Sequence, residues 1–383
     1  MKRRRILMVS GSAPPVRDGV GDCTDRLICE LARQRPDWAW YWLCRRPRWF
    51  HAPVVRRDGF TLLRPSHTWS PRGVRLVRAV ARGLRPDLVH VQEQIHSFFE
   101  TDAACRVADV ATAAGVPLVT TLHEYHTELA SVRFTSELVR RSAAVIANDP
   151  RNAERCLAET GRAPNQRWWS GGTVRPLDPG SRPATVPGRF TTFGFISGLK
   201  SLGVVGEALR SVRAGSPEVH WKIIGPFHPE SDPGHAALAQ SLGTDGVEFT
   251  GGIANDLPLR RLIAESEVML LPYADGASER RTTLHVAWAF GLPVLTTPPP
   301  TANDAVIDGV NCLLVREPTA EAWAAAIRRV RSDPELSDRL RRGSLAAADR
   351  FSWARLAGLH LGLYESLLGS SGRGNVATSP GAG

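Results

Sequence analysis

Two doubly wound α/β domains are the fold class this sequence predicts, and three observations carry it. Short apolar runs alternate with longer amphipathic segments, the pattern of parallel strands joined by crossover helices. The alternation runs twice, with one interruption at Pro164–Arg189, a stretch holding four Gly and five Pro and few apolar clusters. The length of 383 residues suits two domains, and 43% apolar against 22% charged residues is enough for a core in each. In such folds ligands gather beyond the carboxyl ends of the strands, where the strand order reverses. Two domains of this kind facing each other across a cleft would bring two ligands together.

The elements follow in order. Arg5–Ser10, Trp38–Cys44, Asp87–Gln92, Pro117–Leu122 and Ala143–Asn148 read as strands of the first domain, with amphipathic segments such as Asp22–Gln34 and Thr101–Ala114 between them. Thr191–Ser197, Val219–Ile224, Val247–Thr250, Glu267–Tyr273, Pro293–Thr297 and Cys312–Val315 read as strands of the second. Thr319–Arg331 is a strong helix with Thr319 placed to cap it. Leu356, Leu359, Leu363 and Leu367 then mark one face of a last helix. The expected division is 1–175 for the first domain, 176–189 for a linker, 190–351 for the second domain, 352–368 for the last helix and 369–383 for a small, polar, disordered tail.

Composition excludes several classes. No apolar run approaches the ~18 residues of a membrane-crossing helix. The basic start is followed only by the four-residue apolar run Ile6 to Val9, shorter than the roughly 7–15 residues of a signal peptide. Six scattered cysteines form no CxxC pair, which points to a reducing cytoplasm and no zinc site. The net charge of +10 comes from 45 Arg and three Lys. Between Arg45 and Arg85 there are eleven Arg against one acid, Asp58, together with Trp49 and Phe50. That stretch fits either a solvated face or peripheral contact with a membrane surface. No nucleic-acid-binding signature accompanies it.

Four segments could carry chemistry. After the first strand, SGSAPPVRDGVGDCTDRL places Gly19 and Gly21 about a tight turn, with Asp22–Asp25 opening a helix. PDLVHVQEQIH ends a strand at Gln92 and Glu93, and VPLVTTLHEYH ends one at His123. A satisfied histidine at a strand end would fit the second as well. His123 and His126 are three apart, but no spacing makes a metal site and none is expected. FGFISGLKSLGVVGEAL runs a strand into a turn holding Gly198 and Lys200, a flexible point charge in a chain that otherwise uses Arg. LPYADGASERRTTLHVAWAFGLPVLTT leads from a buried strand through a polar loop to an apolar helix. It delivers Ser278, Glu279, Arg280, Arg281 and the N–H groups of Thr282–Leu284 to a helix N-terminus, an anion site.

With these pieces in this order, residues 5–368 resemble the retaining GT-B glycosyltransferases of family 4. The turn at Gly19–Gly21 is similar to that family's acceptor-side loop. LVTTLH resembles the strand end that carries its active-site histidine, here His123. FGFISGLKSLG resembles its donor-diphosphate turn, and VEFTGGIANDLPLRRLIAESEVMLLPY the stretch before its signature loop, and the resemblance implies that the last helix, 352–368, crosses back onto the first domain. Two departures stand out. Phe195 occupies the place of the turn's arginine, and the paired glutamates are replaced by Ser278 and Val286 in a DGASERRTT loop, similar to a branch with an Asp-Gly-x-Ser-x-Arg-Arg motif.

The resemblance implies a metal-independent, retaining transfer of a sugar from a nucleotide-diphosphate donor to a hydroxyl acceptor, with no cofactor beyond the substrates. His123, Lys200 and Glu279 are the implied catalytic residues. Gly198, Lys200, Gly225, Ile253, Ser278, Glu279, Arg280, Arg281, Thr282 and Thr283 would hold the donor, and Gly19, Gly21, Asp22, Gln92 and Glu93 the acceptor. Two alternatives stay open: a weak or inactive binder of a nucleotide sugar or partner chain, and an epimerase or phosphorylase on the same fold.

Overall fold

A computed structural model gives the architecture and describes residues 3–370, apart from 17, 169, 170, 197, 199, 254, 255, 302 and 303. The chain forms two compact units, Met1–Ser170 with Trp353–Gly383, and Gly171–Ser352.

The first unit contains β1 (Arg5–Val9), α1 (Gly19–Gln34), β2 (Ala39–Leu43), β3 (Val54–Arg57), β4 (Phe60–Leu63), α2 (Pro71–Leu84) and β5 (Leu88–Glu93). It continues with α3 (Ala103–Ala114), β6 (Leu118–Leu122), α4 (Leu129–Arg141), β7 (Ala144–Ala147), α5 (Pro150–Thr160) and the short β8 (Gln166–Arg167). The sheet order is β3-β4-β2-β1-β5-β6-β7-β8, parallel except where β3 runs antiparallel to β4. β1 pairs with β2 on one side and β5 on the other, so the order reverses there. The loops after β1 and β5 therefore stand at the switch point.

The second unit contains β9 (Arg189–Phe193), α6 (Leu202–Arg213), β10 (His220–Ile224), α7 (Pro233–Leu242), β11 (Val247–Gly251), α8 (Asp256–Ala264) and β12 (Val268–Leu271). After these come α9 (Thr282–Ala289), β13 (Val294–Thr296), β14 (Leu313–Leu314), α10 (Ala320–Ser332) and α11 (Pro334–Arg350). Its sheet runs β11-β10-β9-β12-β13-β14, all parallel, and reverses between β9 and β12. Thr319 caps α10 by accepting from the Ala322 N–H at 3.2 Å. The mixed α/β, Rossmann-like character expected of both halves is what the sheets display.

α12 (Trp353–Ser370) belongs to the first unit. Its buried stripe is Leu356, Ala357, His360, Leu361, Tyr364 and Leu368, packed with Trp38, Trp40 and the α1 face of the sheet. Each large apolar side chain in that seam contributes about 1.5–3 kcal/mol. The all-leucine face expected here is corrected: Leu359 is exposed and Leu363 and Leu367 are only partly buried. Ala357, His360 and Tyr364 take the inner positions at helical spacing. The helix also extends through Ser370, two residues into the expected tail, and residues 371–383 lie outside the described part.

The arginine-rich stretch Arg45–Arg85 holds the β3–β4 hairpin and α2. Several of its charges are structural. Buried Arg64 donates to the Pro14 carbonyl and lies over the Phe50 ring, Arg57 pairs with Asp25 at 3.1 Å, and Arg78 pairs with Asp109 at 3.2 Å. Among the described residues, no helix is long and apolar enough to cross a membrane.

Candidate active site

In the first unit the switch-point loops are locked together. A Cβ on Gly11 would lie 2.2 Å from the Ser97 carbonyl oxygen, so only glycine lets the loop after β1 approach the loop after β5. Asp18 joins them: its carboxylate accepts from Ser12 Oγ and, at 3.1 Å, from Ser97 Oγ. It also caps α1 by accepting from the Val20 N–H at 3.1 Å. Consequently Gly19 and Gly21 do not flank a separate turn before the helix. Both lie in the first turn of α1, where a Cβ on Gly21 would meet Ser12 Oγ at 3.0 Å and one on Gly19 would meet nothing. Asp22, one turn into the helix, is pushed up to about 6 by burial and by the carboxylates of Asp18 and Asp25.

Strand alternation separates the two residues expected at the end of β5. Gln92 Oε1 faces His123 Nε2 at 2.7 Å and Gln92 Nε2 faces His90 Nε2 at 3.2 Å. Glu93 turns to the other face, fully buried, where it accepts from Thr135 Oγ1 at 3.2 Å. The acceptor contacts expected of Gln92 and Glu93 are corrected accordingly: Gln92 holds His123, and Glu93 is a core carboxyl that burial pushes up to about 7.

The Gln92 bridge also fixes tautomers. Its Oε1 can only accept, so His123 Nε2 carries a proton and donates to it. Its Nε2 can only donate, so His90 Nε2 is an acceptor, shared with the Thr121 hydroxyl at 2.8 Å. His90 Nδ1 then donates to Tyr364 Oη at 2.5 Å. Burial lowers both rings, His123 to about 4 and His90 well below its ordinary value. His123 is thus neutral, with Nδ1 left as its acceptor atom. Asn152, bonded to the His123 carbonyl at 3.1 Å, holds its backbone. His123 and His126 do not share a site. Among the described residues the group within metal-ligand reach is His96, His126 and Glu128, whose ligand atoms lie within 4.8 Å of one another, with His96 and Glu128 exposed.

In the second unit the turn after β9 and the loop after β12 converge on Lys200. Gly194 adopts φ +107°, a conformation that suits glycine, and a Cβ there would meet Thr283 Cγ2 at 2.6 Å and Lys200 Nζ at 3.2 Å. Gly225, just past β10, packs so closely that a Cβ would come within 2.0 Å of the Gly194 oxygen. The Lys200 ammonium donates to the Phe193 carbonyl at 3.2 Å and the Phe195 carbonyl at 2.6 Å, two of its three N–H bonds among the described residues. Burial, with Arg281 nearby, lowers it to about 8. Gly198 is exposed on this turn, and Phe195, in the place of the missing arginine, is 58% exposed. Ile253 lies two residues beyond β11, at the same edge of the sheet.

The loop after β12 brings Arg281 over the Tyr273 ring at 4.6 Å, and the Tyr273 hydroxyl meets Thr283 Oγ1 at 2.6 Å. Asp275, at the start of the loop, pairs with both Arg281 and, at 3.1 Å, Arg280. The two guanidiniums expected as a clamp therefore share one carboxylate. Ser278 and Glu279 are both buried, and His285 Nε2 donates to the Glu279 carbonyl at 2.5 Å. Ser278 Oγ is buried without a hydrogen-bond partner among the described residues. The N–H groups of Thr282 and Thr283 open α9, whose N-cap Arg281 supplies no side-chain bond to it. The third expected donor, Leu284 N–H, is taken by the Arg281 carbonyl at 2.9 Å. Motif reading did not single out Tyr273 or Asp18, and it quoted Asp275 as the first residue of the Asp-Gly-x-Ser-x-Arg-Arg motif without giving it a role. Asp18 carried the signal of an aspartate close before a helix start.

Comparisons with known proteins bear on the family and the fold. The family model described as Glycosyltransferase Family 4 matches residues 17–168, and that described as Glycosyl transferases group 1 matches residues 189–333. A D-inositol 3-phosphate glycosyltransferase from a Nocardioides species is 31% identical over 45% of this chain, and the match spans 40% of that relative's length. A GDP-mannose:glycolipid 4-beta-D-mannosyltransferase from Xanthomonas campestris is 26% identical, over 67% of this chain and 71% of the relative. Among solved structures, Anabaena HepE in complex with UDP and glucose is similar with a TM-score of 0.69 and 19% identity, covering 95% of this chain and 100% of that one.

Proposed function

This chain belongs to the family 4-like glycosyltransferases of GT-B fold, and on that premise we propose that it moves a sugar from a nucleotide diphosphate to a hydroxyl acceptor, with retention and without a metal. The observation that carries the reading is the convergence of Lys200, Arg281 and the start of α9 at the switch point of the second sheet. The turn and loop there carry three cationic side chains, Lys200, Arg280 and Arg281, against two carboxylates, Asp275, which pairs with both arginines, and Glu279, a net positive set suited to a diphosphate.

The chemical problem is breaking the bond between the anomeric carbon and a phosphate oxygen. Negative charge grows on the departing diphosphate. The Lys200 ammonium and the helix N–H groups of Thr282 and Thr283 favour the added charge on the leaving diphosphate over the less charged ground state, which speeds the step. The acceptor oxygen forms the new bond to the anomeric carbon on the face the diphosphate leaves. Its proton passes to the leaving phosphate oxygen, so no protein base is consumed. Neutral His123 accepts, through Nδ1, a hydrogen bond from a hydroxyl and so orients it.

A melting-temperature series with UDP, GDP and ADP tests the donor site, since a ligand that binds only the folded chain raises the midpoint by mass action. A rise with at least one of the three, unchanged by EDTA, is expected. No rise with any of them would remove the reading. Anomeric NMR of the transferred glycoside then distinguishes retention from inversion, and a free epimer or sugar phosphate would show a different reaction.

A further inference from the structure

A hollow of about 430 Å³ opens in the first unit beyond the ends of β2, β4 and β5. Its composition is divided. Trp69 and Val74 are buried in its wall, whereas Phe99, at 57% exposure, stands at the surface. Arg45, Arg48 and Arg106 line the same hollow. Asp102, paired with Arg106 at 2.7 Å, is the one lining carboxylate among the described residues, so cations are in excess. Arg45 is half-buried, its guanidinium 4.7 Å over the Phe99 ring. Its Nε is buried and has no hydrogen-bond partner among the described residues. A buried guanidinium N–H needs an acceptor, and an anion in the hollow would supply one.

Position ties the hollow to the reactive edge. Trp69 Nε1 donates to the Gly11 carbonyl at 3.2 Å, holding the loop after β1. The carboxylate of Asp18 lies near enough to act electrostatically on both Arg45 and His123. Trp49, next to Arg48 in the chain, is 61% exposed and packs edge-on against Phe50.

We propose that this hollow binds the acceptor's anchor, an amphiphilic phosphate or diphosphate ester. The anion meets Arg45 and Arg48, and the hydrocarbon lies along Trp69, Phe99 and Trp49. The proposal rests on the reading that the first unit holds the acceptor. Neither a bare anion nor a neutral hydrocarbon satisfies both halves of the lining.

Titration calorimetry of the full chain with farnesyl diphosphate, farnesol and inorganic pyrophosphate tests it. Farnesyl diphosphate should bind roughly tenfold or more tighter than either of the others, one charge-assisted contact being worth about that factor. Arg48→Glu, at an exposed position, should remove that advantage, as should Arg45→Ala, while the UDP or GDP response stays as in the wild type. Equal affinity for farnesyl diphosphate and pyrophosphate, or unchanged affinity in both variants, would overturn the proposal. Vesicles of phosphatidylcholine with and without phosphatidylglycerol identify the source of the ligand. Association that requires the anionic lipid and is lost in Trp49→Ala means a membrane-held acceptor. Farnesyl diphosphate binding without vesicle association means a free one. Loss of every nucleotide response with farnesyl diphosphate binding intact would instead count against the transferase reading alone.

Discussion

Lys200 holds a positive charge where burial opposes one. In the free protein that charge is lost as pH rises through about 8, well below its ordinary value of 10.5. Nucleoside diphosphate affinity is therefore expected to fall between about pH 7 and 9, and Lys200→Ala should flatten that fall. The same substitution should slow transfer by about a hundredfold or more, the scale of losing one charge-stabilising donor. His123 behaves oppositely: lowered to about 4, it is neutral throughout the working range. The wild-type kcat/KM profile should carry no inflection near 6.5 from this ring, and His123→Ala should cut kcat/KM by about tenfold or more. Glu93 is the buried acid. The fold raises it to about 7, so the native state keeps a proton that the unfolded chain releases. Its contribution to stability therefore declines as pH rises from 4.5 through 7. Glu93→Gln should stabilise the protein by on the order of 2 kcal/mol at about pH 8 and by less at about pH 5, read by urea unfolding.

At the scale of elements, the donor turn depends on backbone contact. Gly225→Ala would drive a methyl into the Gly194 carbonyl and should cost about 2 kcal/mol or more while weakening nucleotide binding. Gly198→Ala, with open space around the new methyl, should leave both unchanged. Calorimetric melting with and without nucleotide separates the two. Most parallel strands were legible because continuous runs such as LVHV and AVIA signal burial on both faces. The β3–β4 hairpin was not. VVRR shows little apolar pattern, and its arginines read as a charge patch. Strand ends were drawn long, since the extended backbone at residues such as Ser10 lies outside the ladder. The site was legible where chemistry follows chain order, as at Lys200 and the start of α9. It was illegible where a partner comes from elsewhere. Tyr364 reaching His90 across 274 positions is a product of the fold.

For the whole molecule, burial of neutral titratable groups sets the response to acid. His90, His123, His285 and His360 all lie below their ordinary value, the last three at about 4. Unfolding lets each take up a proton, so the stability they lend is present above about pH 6.5 and drains away toward 4. Asp22 at about 6 and Glu93 at about 7 pull the other way, but they are two against four. The melting temperature should therefore peak near neutrality and fall on the acid side. A profile that rises on acidification would contradict this balance.

The return of α12 to the first unit also bears on synthesis. Trp38, Trp40 and His90 lack their cover until α12 has left the ribosome. The second half, complete at Ser352, can close while the first is still open. Of the two units, the one begun first is finished last, and a nascent chain halted before α12 has emerged would show the first unit, not the second, to proteases.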